Sequence, residues 1–72
     1  MITTDHLHAL GEAASEMMIE AADEIAMAAR YQPGTASYAR HMARAVAASR
    51  TAHLLRVIAS FTAEALAAND PA

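Results

Sequence analysis

The side chains most able to do chemistry in this 72-residue chain are its four histidines, eight carboxylates and five arginines. Histidine is the commonest metal ligand, and with a carboxylate at helical spacing it can build a metal or acid–base site. The spacing here supplies neither. His6 and His8 are two residues apart and point to different sides of a helix. They could share an ion only if the N-terminus were not helical. His41 and His53 stand twelve residues apart, about 18 Å along a helix, so one chain cannot bring both to one ion. There is no His-x-x-x-His and no Glu-x-x-His of the di-iron bundle kind. A metal-binding helical bundle would need ligands bridging two subunits, and the main reading includes no metal or other cofactor. Ser15, Ser37, Ser49 and Ser60 sit in no nucleophile motif, and no glycine-rich phosphate loop is present. The chain is not expected to be an enzyme.

The arginines raise a different chemistry. HMARAVAASRTAHLLR, residues 41–56, carries Arg44, Arg50 and Arg56, with Arg40 just before it. Its AVAASRT run loosely resembles the turn region of a DNA-reading helix-turn-helix. Such a motif needs a break between two short helices, often at glycine. Here the break would fall at Ala47-Ala48, and alanine promotes continuous helix. Arg40 and Arg44 are neighbours on a helix, while Arg50 lies roughly 90° around it. The net charge of −3 lacks the basic excess of a nucleic-acid binder. A transcriptional or plasmid/phage regulator contacting nucleic acid through Arg40, Arg44 and Arg50 is therefore the lesser alternative. In an antiparallel hairpin, Glu12, Glu16, Glu20 and Glu24 run past Arg56, Arg50, Arg44 and Arg40. Such pairs, where exposed, contribute at most about 1 kcal/mol each and mainly set register.

Composition bounds what can position these groups. The chain is long enough for one domain and sits near the lower limit for a core without staples. It has no cysteine, which excludes disulfides, thiolate metal sites and a cysteine nucleophile. The beginning, MITTDHLHAL, lacks a basic region and a long apolar core, so no secretory signal is expected. The most apolar stretch, residues 54–68, is interrupted by Arg56 and Glu64. It is also shorter than the roughly 20 residues a membrane span needs. A cytoplasmic protein without a membrane span is the expectation. The chain is 56% hydrophobic, but alanine supplies 21 of those 40 residues. Alanine favours helix and buries little area. Arginine without lysine, together with the alanine, points to a GC-rich bacterial or phage coding sequence.

The elements follow from few signals. Thr3, Thr4 and Asp5 offer N-cap side chains. Helical composition then predicts helix 1 over about residues 4–31, weakened but not broken at Gly11. Gln32-Pro33-Gly34 ends it, because a residue before proline leaves the α region and Pro-Gly favours a turn. The turn is placed at 32–35 and helix 2 at about 36–68, capped by Thr35 or Ser37 and stopped at Asn69-Asp70-Pro71. The prediction is an all-α fold, one domain over 1–72, built as an antiparallel two-helix hairpin.

Helix 1 is amphipathic. Leu7, Leu10, Ala14, Met17, Met18, Ala21, Ile25 and Ala28 share one face, with Glu12, Glu16, Glu20 and Asp23 opposite. Helix 2 changes face along its length. Tyr38, Met42, Val46 and His53 form one stripe, and Leu54, Ile58, Phe61 and Ala65 form another about 100° away. One hairpin cannot cover both, and large exposed apolar patches mark interfaces. The expected assembly is a homodimer forming a four-helix bundle. Its self-association or partner interface is assigned to Leu7, Leu10, Met17, Ile25, Met42, Val46, Leu54, Ile58 and Phe61. The architecture resembles small hairpin dimers such as the Rop-type RNA-binding bundle, and more loosely the two-helix subunits and co-chaperones of secretion systems. That resemblance is of shape only and implies no function. The expected function is protein–protein interaction of the adaptor, chaperone or inhibitor type.

Overall fold

The polypeptide enters its first helix through a reciprocal cap. Thr3 is extended (φ −128°, ψ 167°), and its hydroxyl accepts from the His6 amide at 3.4 Å. The Thr3 amide in turn donates to His6 Nδ1 at 3.0 Å. His6 thus takes the place that Glu or Gln usually fills in a capping box. This computed structural model describes residues 2–69. They form two helices, α1 (Thr4–Ala28) and α2 (Ala36–Ala68), packed against each other, with no strand among the described residues. None of these helices is long and apolar enough to cross a membrane.

α1 stops at Ala28, short of the Tyr31 expected from composition. The Arg30 amide bonds to the Met27 carbonyl and the Tyr31 amide to that of Ala28, so the chain tightens into i→i+3 turns. Pro33 forbids Gln32 the helical region, and the helix unwinds before reaching it. Gly34 has φ +94°, and the Thr35 amide bonds to the Gln32 carbonyl at 3.2 Å. Proline followed by a positive-φ glycine inside such a bond is the type II turn pattern. Thr35 then caps α2: its hydroxyl donates to the Gln32 carbonyl at 2.8 Å and accepts from the Tyr38 amide at 3.2 Å. The helix-2 boundaries agree with the sequence reading. The stop signal at Asp70-Pro71 lies outside the described residues.

The two helices form a rod of 57 × 16 × 14 Å. Its buried core is Ala14, Ala21 and Ala28 from α1 with Ala45, Ala48 and Ala52 from α2. Seven-residue spacing within these sets is the signature of a coiled-coil seam. Leu7, Leu10 and Met17 lie on the same repeat in α1, and Tyr38, His41, Leu55 and Ala59 on that of α2. All of these are half-buried. The seam is therefore alanine flanked by larger side chains at the ends. Small residues let the helices approach closely, whereas the bulky residues read as α2's stripes, Tyr38 apart, stand beside the seam. Val46, His53, Leu54, Ile58 and Phe61 are all exposed. In α1, Met18 and Ile25 leave the expected buried face and are also exposed.

Candidate functional site

A flat rod of two helices has two broad flanks, and the seven-residue repeat assigns residues to each. On one flank, Met18, Ala22 and Ile25 of α1 stand beside Met42, Val46 and Ser49 of α2. Together they line an apolar groove of about 380 Å³ near the turn end, with Arg50 at its edge. Ile25 is 52% exposed and Val46 46%, so the groove's walls face solvent. Seven-residue steps toward the start of α1 continue this flank through Gly11, Ser15 and His8. The same steps toward the end of α2 continue it through His53, Arg56 and Ser60.

The opposite flank has a different character. Near the turn end, Met17, Glu20, Arg44, Ala47 and Thr51 line a smaller groove of about 260 Å³. Heptad steps from Ala47 lead to Leu54 and Phe61, and from Thr51 to Ile58. The open end of this flank is therefore apolar, with Phe61 66% exposed. Arg40 and Asp23 fall on its turn end by the same repeat. The molecule thus carries an apolar groove near the turn and an apolar surface toward the open end, and Leu54 of the latter also lines a pocket with Ser49, Arg50 and His53 across the outer face of α2.

The charged residues are arranged otherwise than the hairpin ion-pair reading required. Among the described residues no arginine meets a carboxylate within ion-pair distance; the one ion contact is His41 Nδ1 to Glu24 Oε2, at 2.6 Å. A carboxylate accepts only, so Nδ1 carries the proton and donates. Side-chain exposures of 13% and 19% set this pair in the seam's margin. The Tyr31 ring stacks on His41 with centroids 5.7 Å apart and planes 14° apart. Sequence reasoning paired Glu24 with Arg40 and missed its neighbour. The heptad phase holds the signal: Glu24 lies seven residues beyond Met17, and His41 seven before Ala48, both on the seam.

The other sequence candidates are dispersed. Arg44 lies beside Glu20 on one flank, while Arg50 borders the groove on the other, so Arg40, Arg44 and Arg50 do not converge. α2 runs unbroken through Ala47 and Ala48. His6 is engaged in the α1 cap and His41 with Glu24, while His8 and His53 are exposed. Among the described residues, no three His, Asp or Glu side chains cluster as metal ligands would. Compared with protein-family models, curated proteins and solved structures, the chain matches none. The apolar flanks are the features that argue for a role.

Proposed function

We propose that this is a cytoplasmic, non-enzymatic helical protein that self-associates, two hairpins making a four-helix bundle, and acts by binding another protein. One observation carries the reading. The buried core is six alanines, while Met18, Ile19, Ile25, Val46, Leu54, Val57, Ile58 and Phe61 are exposed. A chain this short is marginal alone, and large apolar patches are characteristic of surfaces that meet a partner. Two such patches allow one to serve assembly and the other a heterologous protein of the adaptor, chaperone or inhibitor kind. The nucleic-acid alternative has less support, because its three arginines fall on different sides of the rod and Glu20 stands beside Arg44. Light scattering behind a sizing column, across a concentration series, tests the reading. A mass near 15 kDa, twice the 7.6 kDa of the chain, is expected. A mass of one chain at every concentration overturns the self-association.

A further inference from the structure

Resting on that reading, we infer that the flank of Met18, Ile25, Met42 and Val46 is the surface that a second copy of this chain covers. The surface around Leu54, Ile58 and Phe61 then remains open in the dimer.

Area is the first argument. The single chain exposes 5281 Å². A compact protein of 7.6 kDa is expected to expose only about 4,300 Å² by the size scaling of folded monomers. The excess of roughly 1,000 Å² is close to the ~800 Å² that each partner contributes to a standard stable interface. Rod shape is its cause, since the radius of gyration is 16.6 Å against about 11 Å for a compact domain of this length. A second hairpin laid along one flank removes that excess.

Charge decides which flank. Asp5 and Glu12 fall on the outer back of α1 by the seven-residue repeat, and Glu64 on the back of α2. Glu20 and Asp23 fall toward the opposite flank, and Glu24 lies in the seam with His41. No carboxylate lines the Met18–Val46 groove itself, whereas Glu20 lines the opposite one; toward the start of α1, Glu12 and Glu16 border the surface beside His8, Gly11 and Ser15. The repeat positions of the Met18–Val46 flank are Met, Ile, Val, Ala, Ser and Gly, with Arg50 at the groove's edge and His8, His53 and Arg56 toward the open end. Pairing this groove with its own copy across a two-fold therefore brings no lining carboxylate into the contact and leaves Arg50 at the rim. Pairing the other groove would desolvate Glu20 and Arg44 of its own lining, and taking charges out of water is costly. The methionines suit such a contact, because Met18 and Met42 adjust their shape and can fill an imperfect groove between copies.

The test sets two surface variants against two others. Ile25→Asp and Val46→Asp alter residues about half exposed in the single hairpin, so each chain should still fold. Both are expected to halve the mass seen by light scattering while helicity by circular dichroism stays that of the parent. Ile58→Asp and Phe61→Asp are expected to leave the dimer mass unchanged. Dimeric Ile25→Asp and Val46→Asp chains, with monomeric Ile58→Asp, would overturn the flank assignment and leave self-association standing. A parent chain that is itself monomeric would overturn both. Should an Asp variant lose its helicity, Val46→Ser, which keeps a neutral side chain, is read instead. It is expected to raise the concentration at which the dimer dissociates, and no change there overturns the assignment.

Discussion

Replacing Ala52 by glycine measures what the alanine seam contributes. Ala52 is 0% exposed, and Ala45 and Ala48 are buried beside it on the same helix. Glycine in a helix interior costs about 1 kcal/mol relative to alanine wherever it stands. At Ala52 the variant also forfeits one buried methyl, worth about 0.8 kcal/mol by area, together with its packing contacts. Ala43 lies on the outer back of α2 and is exposed, so Ala43→Gly removes only the helical preference. The expected costs are about 2 kcal/mol for Ala52→Gly and about 1 kcal/mol for Ala43→Gly. For a domain of this size each 1 kcal/mol moves the thermal midpoint by roughly 4–8 °C. Urea melts of both variants at one fixed protein concentration read the difference, since an assembling chain has a concentration-dependent stability. Ala52→Leu supplies the opposite perturbation and should destabilise by about 1–3 kcal/mol through overpacking. Equal losses for the two glycine variants, or a more stable Ala52→Leu, would refute close packing of the helices at this seam.

Two further substitutions probe the turn and the polar contact of the seam. A Cβ added at Gly34 meets no atom within 4 Å, so Gly34→Ala should cost only the backbone penalty of positive φ, about 1–2 kcal/mol; a neutral melt would show that the turn adopts another conformation. For Glu24 and His41, a double-mutant cycle with alanine at each should give a coupling of about 1–2 kcal/mol, the worth of a charge-assisted bond between part-buried groups. A coupling below about 0.3 kcal/mol would show that the 2.6 Å contact contributes nothing to stability.

Local chemistry was legible in the sequence to within a few residues. The Thr35 cap and the Pro33-Gly34 turn act through backbone geometry, which depends on adjacent residues alone. Helix continuity through Ala47-Ala48 follows from alanine's intrinsic preference in the same way. The two apolar stripes of α2 were also legible, since their side chains do stand on different sides of that helix.

Which residues would close the hairpin was a different matter: of the two stripes only Tyr38 lies on the seam, and Met42 is half-buried beside it, while Val46, Leu54, Ile58 and Phe61 are exposed. A hydrophobic pattern records that a side chain prefers cover; it does not say whether the cover comes from the same chain or another. The pattern of Met42, Val46, Leu54 and Ile58 therefore points to a self-association or partner interface, and it leaves open which residues close the hairpin itself. The hairpin closes along Ala14, Ala21, Ala28, Ala45, Ala48 and Ala52. Small side chains at seven-residue spacing let the two helix backbones come together where those alanines meet. Glu24 and His41 show the same limit: sequence could place both near the turn, but only the phase of one helix against the other makes them partners and leaves Arg40 outside. Two helices and the turn that reverses them are decisions of neighbouring residues, so the order of amino acids was enough to settle them. Which residues are core and which remain for a partner depends on how closely the helices can approach, and that emerged only once the two were packed together.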